Sequence, residues 1–207
     1  MKKITLIFLI SLLLHFGLPP AQADDAPIKI GVYQNQPLAF VNEDGEVSGF
    51  CIDIIEEIAA VENWAIEYTS CGFSDCLDLL ENHEIDLLCP IAYSQERVQR
   101  FDFNAITLIS NWGHVYTQPN SDIESYLDLQ GKTVAILEND IHAIVFQQML
   151  ERFDITCDFV LVEDYSSVFD SIVNNSVDAG VVNRLFSQQH EASYQVSSST
   201  MIFNPIE

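Results

Sequence analysis

Cations are scarce in this 207-residue sequence: eight Lys and Arg stand against 31 Asp and Glu, a formal net charge of −23. A polyanion of this strength is repelled by phosphate backbones and anionic lipid headgroups, so nucleic acid is excluded as a partner, as is attachment to a membrane through basic residues. Long apolar runs are also few. After Ala23 no run of about 18 apolar residues occurs, which excludes a second membrane span. Gly-rich phosphate loops and Gly-x-Ser-x-Gly elbows are missing, which removes the commonest signatures of nucleotide and serine-hydrolase chemistry. Histidines are scattered: His15 lies near the start, and His83, His114, His142 and His190 lack the i, i+4 or carboxylate spacing of a metal site. No metal and no other cofactor is expected.

What the chain does have begins with a leader. Lys2 and Lys3 precede the apolar run Ile4–Leu18, followed by Pro19-Pro20 and the small-residue triplet Ala21-Gln22-Ala23. This is the pattern of a cleaved secretory signal peptide over residues 1–23; the alternative, an uncleaved anchor, is disfavoured by the shortness of the run. Cleavage would leave 184 residues with six basic and 31 acidic side chains, a net charge of −25. With no Cys at the cleavage point, a lipid-anchored form is not expected. Five cysteines (Cys51, Cys71, Cys76, Cys89, Cys157) in an exported chain permit disulfides, and the odd number leaves at least one thiol unpaired or intermolecular. Cys71 and Cys76 flank a Gly-Phe-Ser turn and are either a local bridge or two reduced thiols at the start of a helix.

A hydrophobic content of 48% with 19% charged residues is that of a globular protein. From Ile28 onward β-rich runs alternate with helical periodicity. Strands are expected at Ile28–Tyr33, Ala65–Thr69 and Asp86–Ile91, helices at Cys51–Val61 and, capped by Ser74 or Asp75, at Leu77–Asn82, with a hairpin turn at Asn42–Gly45. A second series follows Gly131, with strands at Thr133–Leu137, Asp158–Val162 and Asp178–Val182 and helices at Ile141–Phe153, Ser166–Asn174 and Arg184–Ala192. This order implies an α/β fold of open, mostly parallel sheets covered by helices. The two series echo each other. A shift of 92 residues lays Leu77, Leu80, Asn82, Ile85 and Asp86 on Phe169, Ile172, Asn174, Val177 and Asp178, which favours two similar lobes with the changeover near Asn111–Pro119. Ligands of such folds sit at the carboxyl ends of the strands, here Tyr33–Gln36, Pro90–Tyr93, Glu138–Asp140 and Asn183. Arg97 follows one of these ends by a short loop, where a guanidinium can hold a carboxylate through two parallel hydrogen bonds; an internal salt bridge is the competing reading.

Nearly all of the mature sequence resembles the amino-acid-type periplasmic solute-binding proteins, that is, the bacterial extracellular solute-binding proteins of family 3. The resemblance rests on Ile28-Lys29-Ile30-Gly31-Val32 with Pro37 and Phe40; Gly45 with Gly49-Phe50-Cys51-Ile52-Asp53-Ile54; Glu84-Ile85-Asp86-Leu87-Leu88; Ser94-Gln95-Glu96-Arg97 leading to Phe101-Asp102-Phe103; Asp128-Leu129-Gln130-Gly131-Lys132-Thr133-Val134-Ala135; and Val177-Asp178-Ala179-Gly180. Two segments, Asn111-Trp112-Gly113-His114-Val115-Tyr116 and Val181-Val182-Asn183-Arg184-Leu185, look closest to the family's sensor modules, which stand outside the membrane in histidine kinases and diguanylate cyclases. The resemblance implies a type II, two-lobed fold with a hinge: residues 24–112 as lobe 1, 113–203 as lobe 2, and 204–207 as the start of the return to lobe 1, beyond which the family's C-terminal part is missing.

By the same resemblance Arg97 takes the position that binds the ligand carboxylate, and Phe73 the position of a side chain that stacks on the ligand. The departures carry equal information. Pro90 and Ala92 stand where amino-acid binders place Ser or Thr beside the carboxylate, Asp140 stands at the Thr position of lobe 2, and Asn183 replaces the Asp that meets the ligand's ammonium. Asp140 or Glu138 is left to supply that negative charge. Tyr33, Tyr93 and Trp112 are candidate pocket walls. The implied function is a non-enzymatic binding protein, either a sensor module serving a membrane-bound kinase or cyclase or the substrate receptor of an ABC importer. A periplasmic prephenate-type dehydratase, with Glu138 or Asp140 as its acid–base group, is the enzymatic alternative.

Overall fold

A computed structural model describes residues 26–206; the leader expected over residues 1–23 lies outside them. Two sheets carry the chain. In the first, β4 (Ile66–Ser70), β1 (Ile28–Val32) and β5 (Leu87–Leu88) lie in that order and are all parallel. Between β1 and β4 come the hairpin of β2 (Phe40–Val41) and β3 (Val47–Ser48) and then α1 (Phe50–Glu62); α2 (Phe73–Glu81) links β4 to β5. The second sheet has the order β10-β6-β9-β7-β8, built from β6 (Asn111–Thr117), β7 (Thr133–Leu137), β8 (Asp158–Val162), β9 (Ala179–Asn183) and β10 (Ser197–Ile206). Its helices are α3 (Ile141–Arg152), α4 (Tyr165–Val173) and α5 (Arg184–Tyr194).

The 92-residue echo is structural. The triplets β4-β1-β5 and β8-β7-β9 have the same order and are parallel throughout. Each is closed by the same bracket: the Asp86 carboxylate accepts from the Lys29 N–H at 2.8 Å while the Asp86 N–H donates to the Lys29 carbonyl, and Asp178 does the same with Thr133. The bracket explains why an Asp leads each strand: it satisfies a donor at the strand entrance that the ladder leaves free.

The central strands β7 and β9 of the second sheet are covered on both faces and are apolar on both sides. Ala135 and Leu137 face one cluster, under α4 and α5; Val134 and Ile136 face another, with Phe146 and Leu150 of α3. Gly113 permits β10 to lie close, because a Cβ there would stand 2.6 Å from the Phe203 ring. The first cluster is continuous between the sheets: it joins Tyr33, Phe73, Leu77 and Leu88 to Tyr165, Val168, Phe169 and Phe186.

Two expectations are corrected, and the sheet pattern is refined. The second helix begins at Phe73 behind an N-cap at Gly72, not behind Ser74 or Asp75, because the turn between the two cysteines is already the first helical turn. The strand expected over Asp86–Ile91 is only Leu87–Leu88; Pro90 has no N–H for a ladder, and the chain leaves the sheet there through a cis Cys89–Pro90 bond. The second sheet is mixed, since β6 pairs antiparallel with both β9 and β10. Neither strand shows clean alternation in sequence.

Cys71 and Cys76 are bonded, with Cα atoms 5.5 Å apart, and pin the end of β4 to the first turn of α2. Cys51, Cys89 and Cys157 are free thiols; the interaction between the Cys51 and Cys89 thiols raises the Cys51 pKa and lowers that of Cys89. Unfolded without reductant, the protein is expected to titrate three thiols with an aromatic disulfide reagent, and five after reduction. Five before reduction would rule out the bridge.

Candidate functional site

Strand carboxyl ends from both sheets converge on one cavity of about 70 Å³. Its apolar walls are Leu38, Phe73, Pro90, Ile91, Ala92, Ile109, Ile141 and Ile206, and its polar lining is Tyr33, Asn35, Arg97, Asn111, Asp140, His142, Tyr165 and Asn183. Polar residues this deeply buried are held in place by partners or cost stability without them.

Arg97 opens a short 3₁₀ turn, where Ser94 Oγ accepts its backbone N–H at 3.1 Å. The side chain is 6% exposed. Nη1 donates to the Ala92 carbonyl at 3.0 Å, and Nη2 reaches across to the Asn139 carbonyl of the second sheet at 2.9 Å. The guanidinium stands 5.5 Å from the centre of the Phe73 ring, a cation–π contact. Burial pushes its pKa down, with Asp140 opposing the shift, yet a guanidinium stays charged. The salt bridge weighed against ligand binding is not formed: among the described residues, carboxylates within 4.0 Å of a cation are found only at Arg100, with Asp78 and Glu81.

A second set of bonds crosses between the sheets. Tyr33 donates to the Pro90 carbonyl at 2.7 Å, Asn35 Nδ2 donates to the Tyr33 hydroxyl at 3.1 Å, and Asn183 Nδ2 donates to Asn35 Oδ1 at 3.0 Å. Asn183 Oδ1 accepts from the Phe186 N–H at 2.9 Å, capping α5. Asn139 Nδ2 also bonds Ser74 Oγ at 2.5 Å. These contacts describe a closed cleft. Burial raises the pKa values of Tyr33 and Tyr165, so both phenols are neutral donors.

Of the residues expected at the site, Arg97, Phe73, Asp140, Asn183, Tyr33 and Ala92 line the cavity. Asn183 does so with both ends of its amide engaged. Tyr93 is 48% exposed, packs edge-on against Phe103 and accepts from Gln95. Trp112 lies under Arg184, whose guanidinium is 4.2 Å from the ring centre, and Glu138 is exposed. Those three do not line the cavity. Sequence reading missed Asn35, Asn111, His142 and Tyr165. For Asn35 the strand-end rule was already a signal, since Tyr33–Gln36 was marked as a strand end; His142 gave none, because its role depends on α3 meeting the cleft. Among the described residues no cluster of three metal-ligating side chains occurs, and no helix is long and apolar enough to cross a membrane.

A cleft closed between two βαβ units, with a buried guanidinium at its centre, has the form of a solute-binding protein. Residues 28–123 match the model of the bacterial extracellular solute-binding proteins, family 3, and residues 103–205 match a second model, described as NMT1/THI5 like. The chain is 27% identical over 150 residues to the probable amino-acid-binding protein YxeM of Bacillus subtilis, covering 69% of this chain and 56% of YxeM. It spans between 38% and 60% of the lengths of the curated relatives it matches. Among solved structures, the arginine-bound form of a truncated ArgBP from T. maritima superposes with a TM-score of 0.77 at 21% identity, over 86% of this chain and 84% of that one. A histidine kinase sensor domain with similarity to periplasmic binding proteins does so with 0.76 at 18%, over 87% and 79%. Over residues 28–123 the chain is thus similar to the family 3 solute-binding proteins, and it has the fold of the solved structures on which it superposes.

Proposed function

We propose that this chain is an extracytoplasmic binding module whose two lobes close over a small amino-acid-like carboxylate, and that its output is sensing. The observation that carries the reading is Arg97, a buried guanidinium without a carboxylate partner that faces a cavity between the two units. A charge kept out of water is stable only when a partner compensates it, and a bound carboxylate is the partner whose geometry fits a guanidinium. The adjacent strands β6 and β10, which run from the cavity at Asn111 and Ile206 into the second sheet, serve as the hinge. In this reading residues 24–112 and 113–203 are the lobes, residues 204–207 begin the return to lobe 1, and the leader delivers the module to the periplasm.

The sensor-domain neighbour, which belongs to a histidine kinase, favours a membrane-bound kinase as the partner. The amino-acid-binding relatives favour the second reading, the receptor of an ABC importer, which uses the same site. Neither requires catalysis. A thermal-shift screen of amino acids, amines and small carboxylates, followed by small-angle scattering, tests the module. A ligand at 100 times its Kd is expected to add about 2.7 kcal/mol of stability, and to shift the solution ensemble toward the compact, closed form. If neither amino acids nor carboxylates raise the melting temperature, the reading is wrong.

A further inference from the structure

Two of the three free thiols stand together behind the cleft and line none of it. Cys51 lies in the first turn of α1 and is fully buried; Cys89 follows β5 and is half-buried. The fold brings them together in two steps. The parallel register pairs Gly31 with Leu88, which places Cys89 beside Val32 at the end of β1, and Val32 packs in one small cluster with Ala39 and Ile52, the residue after Cys51. The start of α1 is fixed from its other side: the Cys51 N–H donates to the Leu38 carbonyl at 2.8 Å, and a Cβ at Gly49, whose φ is +128°, would stand 2.5 Å from the Leu38 oxygen. The two thiols interact where these segments meet. Among the described residues no third metal-ligating side chain joins them. The Cys71–Cys76 bridge lies across the sheet: a Cβ at Gly31 would stand 3.5 Å from Cys76 Sγ, and Gly31 and Val32 face opposite sides of β1.

We propose that Cys51 and Cys89 are a redox-exchangeable pair that takes its disulfide bond from a small, uncharged or cationic disulfide, and that the bridge ties together two walls of the ligand cavity. Cys89 is the attacking group, because of the two it is the one that solvent reaches, and its interaction with Cys51 lowers its pKa against the effect of burial. Its thiolate attacks one sulfur of the reagent, a mixed disulfide forms and one small thiolate leaves. The Cys51 sulfur then attacks Cys89, closes the bridge and expels the second small thiolate. The protein thiols give up two electrons and two protons, and the reagent takes them up as two thiols, so no other oxidant is needed. A formal charge of −23 on the chain disfavours anionic reagents. Each cysteine is one step from the cavity lining: Leu38 holds the Cys51 N–H, and Pro90, next to Cys89, accepts from the Tyr33 hydroxyl at 2.7 Å. The pair works whatever molecule the cavity takes.

The test is treatment of folded Cys157→Ser protein, in which Cys51 and Cys89 are the only thiols, with cystamine, a cationic disulfide. Both thiols are expected to be lost with no cysteamine retained, and mass spectrometry is expected to find the Cys51 and Cys89 peptides linked until dithiothreitol is added. The melting temperature is expected to rise by at least about 5 °C, since the bridge closes a long loop of chain. In the same background Cys51→Ala is expected to stop with one cysteamine on Cys89, and Cys89→Ser, which leaves only the buried sulfur, to react at least about tenfold more slowly than the parent. A cysteamine retained on Cys89 beside an intact Cys51, two unreacted thiols, or a link from either residue to Cys71 or Cys76 overturns the proposal. So does a Cys51–Cys89 bridge that lowers the melting temperature, because the folded state then resists it.

Discussion

Arg97→Ala is expected to lower affinity for any carboxylate ligand by at least about 100-fold while the protein stays folded. Two hydrogen bonds from a charged donor are worth about 1.5–3 kcal/mol each, and every 1.4 kcal/mol is tenfold in Kd. The stability side is a balance. The substitution frees the Ala92 and Asn139 carbonyls from their bonds and removes the contact with Phe73. It also removes a buried charge that lacks a carboxylate within 4.0 Å, and with it the cost of keeping that charge dry. The two effects oppose, so the melting temperature of the ligand-free protein is expected to move by less than about 4 °C, the equivalent of about 1 kcal/mol in a domain of this size. Calorimetry and circular dichroism melts on one preparation check both halves. Unchanged affinity removes Arg97 from the site; collapse of the fold makes it a structural residue.

Phe169→Ala is expected to cost about 3–5 kcal/mol, the range for emptying a buried aromatic position. The ring is fully buried and stands 5.2–5.5 Å from the rings of Tyr116, Phe186 and Tyr194. Its cluster runs from Leu77 and Phe73 of the first unit to α4 and α5 of the second, so the cavity left behind cannot collapse without moving the cleft. The melting temperature is expected to fall by about 6–20 °C. Phe153→Ala is the control: that side chain is 63% exposed and its loss should lie within about 0.5 kcal/mol of neutral. A Phe169→Ala protein as stable as the control would show that the cluster does not hold the two units together.

How much of this was legible in the sequence depends on whether a feature is local. Strands β7 and β8 begin and end where alternation and β-branched residues put them, and α3 stops one residue before the expected Phe153. The echo between Asp86 and Asp178 was visible as a pattern; only the structure gave it a cause, the bracket to Lys29 and Thr133. β10 was not legible as a strand, because it is defined by an antiparallel partner distant in sequence; β6 falls in Asn111–Pro119, an aromatic-rich stretch that reads as extended, but its partners were not legible. At the site, Arg97 was conspicuous because a cation is rare here. Trp112 and Tyr93 were chosen for being aromatic near strand ends, but an aromatic ring packs wherever apolar area is available, and theirs is taken by Arg184 and Phe103.

By itself, then, the sequence determined a strongly acidic α/β chain with duplicated βαβ units and one guanidinium beside a strand end. These are properties of composition and of periods two and 3.6, which need no knowledge of distant contacts. The tertiary structure decided which side chains meet: that Asn183 spends its amide on Asn35 and Phe186, that Arg97 reaches Asn139, and that the atoms Asp140 Oδ2 and His142 Nδ1 are left without a hydrogen bond at one small cavity. Partnership between groups tens of residues apart is set by how the two sheets close on each other, and no local pattern records it.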